Sequence, residues 1–147
     1  RGDSVLNQRE LMGAMGRAKF VLAFSNVAAP ADYTHPQHQY LTGRWTDALA
    51  MGASVAGIAP RCLAAQELLW PEALEELGTV DRDEGLRRLL VAVRTWSPER
   101  AALNYRMALQ RLDWRWRLTV IAKKMGQNPA NLVTELEALE RAIDDPI

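Results

Sequence analysis

Two short apolar runs constrain the fold of this chain more than any other feature. The first is KFVLAF, from Lys19 to Phe24, and the second is ASVAG, from Ala53 to Gly57. Their length and their Val and Phe content favour buried strands. A helical pattern from Ser4 to Arg17 precedes the first run, and another helix-length segment separates the two. Because parallel strands need such a crossover, the sequence predicts an α/β fold with a parallel sheet.

The segments around the second run complete the α/β part. Residues 25 to 38 hold two prolines and two histidines without periodicity, which predicts a loop long enough to carry function. The pattern from Leu41 to Met51 is helical, and Gly52 is expected to end that helix. Residues 63 to 69 are predicted to be helical. The stretch from Leu74 to Val80 fits either the last turn of a helix or a short third strand.

Residues 81 to 147 contain helical signals throughout. Four capping patterns open successive helices: Asp81 with Glu84, Ser97 before Pro98, Asp113, and Asn128 before Pro129. We therefore divide the chain into an α/β part, 1–80, and a helical part, 81–147. Two or three strands leave open sheet edges, so we expect the missing strands to precede Arg1 in a longer protein.

Composition narrows the possible partners. Lys+Arg and Asp+Glu both total 18, and this zero net charge argues against non-specific binding to nucleic acid or to an anionic membrane. The basic cluster from Arg111 to Lys124 is accordingly interpreted as a solvated face, and the five tryptophans as core or helix-end residues. The single cysteine, Cys62, excludes an internal disulfide and is expected to be buried. Because no apolar run approaches the roughly 20 residues of a membrane span, we expect a cytoplasmic protein without a transmembrane segment.

The residues with the clearest chemistry open the second helix. A helix that begins at Thr42 and Gly43 presents unpaired N–H groups and a partial positive charge, which suit a diphosphate. Gly43 lets a ligand approach the backbone, and Arg44 adds a bidentate cation. Asp47 lies three residues further on, and its carboxylate is suited to accept hydrogen bonds from ribose hydroxyls. The alternative is that Arg44 and Asp47 form only an exposed ion pair.

This segment resembles a known family motif. GRWTDALAMGASVAG, from Gly43 to Gly57, is similar to the donor-site motif of group 1 glycosyltransferases of the GT-B type. KFVLAFS resembles the strand before the donor loop of that family, and DWRWRLTVIAKKM, from Asp113 to Met125, resembles its late helix. The similarity extends from about Leu11 to Met125. It implies the Rossmann-like C-terminal half of a GT-B enzyme, a partial parallel sheet followed by several helices, which binds a nucleotide-diphosphate sugar.

The resemblance also assigns roles. It implies that Asp47 holds the ribose, that Arg44 lies near the diphosphate, and that Thr42 and Gly43 form the helix start beneath it. Gln39 occupies a position where many relatives carry Glu, and Asp47 one where Glu is commoner. The implied reaction is sugar transfer to an acceptor, with the acceptor domain absent from this chain and the N-terminal half of the same protein as its partner. It implies neither a cofactor nor a required metal.

Residues of the loop complete the candidate donor site. Ser25 and Asn26 follow the first strand, where α/β folds place ligands, although turn residues are equally expected there. Asp32, Tyr33 and Thr34 are interpreted as loop residues, with sugar contact as the alternative. His35 and His38 are either exposed loop residues or contacts to the donor, and two histidines alone make a poor metal site. The rival interpretation of the whole chain is a non-catalytic α/β module for nucleotide or protein binding. Its Leu132–Ile143 stripe would then serve assembly.

Overall fold

The structure is a computed structural model, and it describes residues 3–144. Helices and strands alternate up to residue 76, and helices follow. The elements, in chain order, are α1 (Ser4–Gly16), β1 (Phe20–Phe24), α2 (Gly43–Ala50), β2 (Ser54–Ile58), α3 (Leu63–Leu68), a 3-10 turn (Pro71–Ala73), β3 (Leu74–Glu76), α4 (Arg82–Thr95), α5 (Pro98–Arg111), α6 (Trp114–Lys124) and α7 (Ala130–Asp144).

The three strands form one parallel sheet in the order β1-β2-β3. Phe20 pairs with Ser54 and Val55 pairs with Leu74, so the strands start nearly level. The ambiguous stretch from Leu74 to Val80 therefore begins as a strand, and the backbone N–H of Leu77 still donates to Gly57 O at 2.7 Å. The sheet confirms the predicted α/β class. All three carboxyl ends lie at one edge, where ligands bind in such folds.

Helix α2 packs its apolar face against the sheet. Trp45, Ala48 and Leu49 are buried in the central core beside Val55 of β2. The helix ends before Gly52, as predicted, and Gly52 has a φ of +84°. A Cβ at Gly52 would lie 3.2 Å from the carbonyl oxygen of Ala101 in α5. Glycine therefore serves both the turn and the close packing of α5 on α2.

Two of the four predicted caps, Asp81 and Asp113, are confirmed, and α7 begins at Ala130, after Pro129 and not at it. The Asp81 carboxylate accepts the Glu84 N–H at 2.8 Å, and that of Asp113 accepts the Arg115 N–H at 2.9 Å. Ser97 precedes α5 as predicted, but its hydroxyl makes no capping hydrogen bond. The first turn of α5 is instead started by Pro98, whose fixed φ suits a helix and which has no N–H to satisfy.

One sequence interpretation needs correction, and another is only partly addressed by the structure. In the Leu132–Ile143 stripe, Leu139 is only 1% exposed between α7 and the other helices, and Leu132, Leu136 and Ile143 are half-buried. Cys62 is half-buried at the start of α3 rather than in the core. Among residues 3–144, no helix is long and apolar enough to cross a bilayer.

Candidate functional site

A cleft of about 470 Å³ opens where β1 ends, between the loop 25–42 and the start of α2. Its floor is formed by the end of β1 and by Trp45. Its walls come from the loop and from the first turn of α2. The polar side chains that line it are Asn26, Tyr33, Thr34, Tyr40, Thr42 and Arg44. The cleft therefore combines polar and apolar side chains, with one cation and no anion among its described lining residues.

Asn26 holds the loop in place and keeps one oxygen free. Its side-chain Nδ2 donates to the carbonyl oxygens of His35 at 2.7 Å and His38 at 2.9 Å. The residue is 7% exposed, and its Oδ1 atom is buried without a hydrogen-bond partner among residues 3–144. A buried amide oxygen is costly to leave unpaired. Asn26 Oδ1 is thus a buried acceptor without a partner in the described residues, enclosed by protein and not open to the cleft.

The start of α2 supplies unused donors beside it. Thr42 is extended, with φ −97° and ψ 163°, and its hydroxyl makes no capping hydrogen bond. The backbone N–H groups of Gly43 and Arg44 have no acceptor in the part of the chain that the structure describes. The Arg44 side chain is exposed and lines the cleft. Free N–H groups, the helix dipole and a guanidinium together favour an anion here.

Asp47 lies in a different depression from Arg44. It lines a groove of about 270 Å³ between α2 and the corner where α5 meets α6. Among the ion pairs of the described residues, none joins Asp47 to Arg44, so the simple ion-pair alternative is not observed. Asp47 Oδ2 lies 3.6 Å from where a Cβ on Gly43 would be. The bare backbone of Gly43 thus lies between the two depressions.

The remaining predicted site residues organise the loop. Ser25 is buried, and its Oγ accepts the Ala28 N–H at 3.2 Å. His35 Nδ1 accepts the N–H groups of Gln37 and His38, and the two histidine rings stack at 4.1 Å. Gln39 Oε1 accepts the Arg61 N–H at 2.7 Å, which ties the loop to the end of β2. None of these four predicted residues, Ser25, His35, His38 and Gln39, lines the cleft.

A larger groove lies at the ends of β2 and β3 but suits an anion less well. It measures about 560 Å³ and is lined mainly by apolar side chains. Its two charged residues, Arg61 and Glu76, have opposite signs, and Glu76 accepts the N–H of Ala59 at 3.1 Å. Within residues 3–144, no group of three or more His, Cys, Asp or Glu side chains is placed to hold a metal ion.

The structure therefore brings together fewer residues at the candidate site than the sequence predicted. Thr42 and Arg44 line the cleft, Gly43 lies between them in the chain, and Asp47 lines the neighbouring groove. Asn26, Tyr33 and Thr34, for which ligand contact was one of two alternatives, also line the cleft. Tyr40 lines it too, and no sequence signal pointed to that residue. Comparisons of the chain with protein-family models, with curated proteins and with solved structures found no match.

Proposed function

We propose that the chain is the donor-binding half of a glycosyltransferase, which holds a nucleotide-diphosphate sugar by its phosphates. One observation carries the proposal: the backbone N–H groups of Gly43 and Arg44 have no acceptor among the described residues, and they lie at the helix start beside a cleft that Thr42 and Arg44 line. These donors match the charge and the hydrogen-bonding needs of a diphosphate. The similarity of residues 43–57 to the group 1 donor motif supports the same ligand.

In this proposal the ligand spans both depressions. The diphosphate lies at the start of α2, and the nucleoside crosses the bare backbone of Gly43 to reach Asp47. The short distance from Asp47 Oδ2 to the Gly43 Cβ position supports this path, because a side chain at Gly43 would stand in it.

Catalysis would be electrostatic. Transfer breaks the bond between the sugar and the diphosphate, so negative charge develops on the leaving phosphate. The helix start and Arg44 would stabilise that charge. No Asp, Glu or His is among the described residues that line the cleft. Any general base would therefore come from another part of the enzyme, which the resemblance implies is the N-terminal acceptor domain.

The same set of cleft residues is compatible with a second function. A cleft without an Asp, Glu or His side chain among its described lining residues also fits a module that binds a nucleotide and catalyses nothing. Both functions require nucleotide binding, and only the transferase requires turnover of a nucleotide sugar. Incubation of the protein with UDP-, GDP- and ADP-sugars and detection of the released nucleotide separates them, provided that binding is shown first.

Calorimetric titration with UDP, GDP, ADP and pyrophosphate tests the binding. Arg44→Ala is expected to weaken both pyrophosphate and the bound nucleotide by about 10-fold or more. Asp47→Ala is expected to weaken the nucleotide but not pyrophosphate, because only the nucleotide carries a ribose. Arg141→Ala, an exposed arginine on α7, is the matched control. If the folded chain binds none of these ligands, the proposal is wrong.

A further inference from the structure

Helix α6 exposes an apolar stripe. Four large apolar side chains recur along it at intervals of four, three and four residues. At 100° per residue they fall within an arc of roughly 60°. They are Trp114, Leu118, Ile121 and Met125, exposed by 71%, 46%, 50% and 69%. On the other sides of α6, Trp116 Nε1 donates to Leu109 O at 2.8 Å and Arg115 pairs with Glu135 of α7, while Val120 is exposed.

All charged residues of α6 are basic. Its sequence, WRWRLTVIAKK, has four basic residues and no acidic one. Arg115 is neutralised by Asp113 and Glu135. Arg111, Arg117, Lys123 and Lys124 form no ion pair within the described part of the chain. At 100° per residue, Arg117 and Lys124 lie on one side of the apolar stripe and Lys123 lies opposite it. The helix thus carries a local excess of positive charge, although the chain as a whole is neutral.

An apolar groove extends this surface. It measures about 410 Å³ and runs from Leu68 at the end of α3 to Val120 and Ile121 of α6, with Arg111 and Arg117 at its sides. The guanidinium of Arg117 also lies over the Trp114 ring, 5.7 Å from its centroid. Apolar side chains, a tryptophan and arginine or lysine heads on one surface are typical of helices that lie in the membrane interface.

We propose that the α6 surface, comprising the stripe, its four free basic residues and the groove, binds an anionic lipid bilayer. The apolar stripe enters the boundary between headgroups and acyl chains, and the basic residues contact lipid phosphates. The charge complementarity favours lipid over a second copy of this chain, whose identical surface would be repelled. The exposed stripe favours lipid over nucleic acid, because phosphate contacts alone require no apolar side chains. The inference is independent of the proposed nucleotide site.

Vesicle co-sedimentation of the whole chain tests this proposal. We expect binding to vesicles of phosphatidylcholine and phosphatidylglycerol, and much weaker binding to phosphatidylcholine alone. Leu118→Glu with Ile121→Glu is expected to abolish sedimentation. Lys123→Gln with Lys124→Gln is expected to weaken binding by about 30-fold, from about 1 kcal/mol for each lysine. Val91→Glu, which places a charge on an equally exposed apolar residue of α4, is the matched control and leaves binding unchanged.

Three results would overturn the proposal. The first is no sedimentation of the folded protein with anionic vesicles. The second is binding that the stripe variants retain. The third is a wild-type dimer, detected by light scattering, that the Leu118→Glu, Ile121→Glu variant dissociates, since the stripe would then join two copies. Circular dichroism of each variant separates loss of lipid binding from loss of fold.

Discussion

The indole Nε1 of Trp70 donates a hydrogen bond of 2.9 Å to the side-chain oxygen of Asn104, and both residues are buried. The Nδ2 of Asn104 donates in turn to Ser54 Oγ at 2.9 Å. One amide thus joins the segment before β3, helix α5 and the first residue of β2. This link fixes the helical part of the chain, which begins at residue 81, onto the sheet.

Removal of the amide is expected to be costly. Asn104→Leu leaves the Trp70 N–H and the Ser54 hydroxyl without this partner in the core, so we expect a loss of about 3 kcal/mol in the free energy of unfolding. Urea denaturation measures it. Asn7→Ala, on the exposed face of α1, is the control and should change stability by no more than about 0.5 kcal/mol. Equal stability of the two variants would show that the hydrogen bonds contribute little.

Gly57 is predicted to tolerate no side chain. It pairs with Ala23 in the sheet, and a Cβ at Gly57 would overlap the carbonyl oxygen of Ala23. Gly57→Ala must therefore push β1 away from β2, and we expect a loss of at least about 3 kcal/mol. Thermal denaturation is a suitable measurement.

The control for this variant lies in a helix. A Cβ at Gly85 of α4 would meet only Leu77 Cδ1, at the ordinary distance of 3.9 Å. Gly85→Ala is therefore expected to stabilise the protein by about 0.5 to 1 kcal/mol. A Gly57→Ala variant as stable as wild type would contradict the close approach of the strands.

The Asp113–Arg115 pair is expected to make stability depend on pH. Hydrogen bonds from the Arg115 side chain lower the pKa of the Asp113 carboxyl, and partial burial opposes them. Because the pKa is lower in the folded than in the unfolded chain, the ionised carboxylate stabilises the fold above pH about 4. That stabilisation is lost as the pH falls through the lowered pKa of the folded state.

Asp113→Asn isolates this charge, because asparagine is still a good N-cap. We expect a loss of about 1 kcal/mol at pH 7, and the difference from wild type should shrink as the pH falls below about 4. Urea denaturation at several pH values measures both. Asp83→Asn, which removes a highly exposed ion pair with Arg82, should cost under about 0.5 kcal/mol at pH 7. A pH-independent effect of Asp113→Asn would show that capping alone matters.

The proposed ligand path predicts that Gly43 is important for binding but not for folding. Its φ is not positive, and a Cβ there would be 3.6 Å from Asp47 Oδ2, an ordinary contact. We therefore expect Gly43→Val to keep the melting temperature within a few degrees and to weaken nucleotide binding by about 10-fold or more. Gly13→Ala in α1 is a suitable control for the effect of adding a side chain to a helical glycine, because a Cβ there would make only an ordinary contact. Gly16→Ala is unsuitable, because a Cβ there would press on Met51.

Local signals predicted the fold well because they act over a few residues. The buried strands, the glycine stop after α2 and the caps at Asp81 and Asp113 all follow from spacing and backbone preference. The conformation of the stretch from Leu74 could not be decided locally, because only its pairing with β2 distinguishes a strand from a helix. These contacts lie far apart in the chain, and a single sequence does not reveal them.

The site was harder to predict for the same reason. Arg44 and Asp47 lie three residues apart on α2, yet the loop 25–42 borders one and the α5–α6 corner borders the other. Spacing gives the direction of a side chain but not the neighbour that it meets. Likewise, Trp114 lies at a helix end as predicted, but its exposure follows from the uncovered face of α6, which sequence alone does not show.

The central claim is that the phosphates of a nucleotide bind at the start of α2. Titration of the ¹⁵N-labelled chain with the preferred nucleotide, followed by backbone amide chemical shifts, tests it most directly. We predict the largest shifts at the N–H groups of Gly43 and Arg44, and that pyrophosphate alone reproduces them. Saturable binding that leaves these two amides unmoved, with shifts confined to the groove around residues 59–66, would contradict the account.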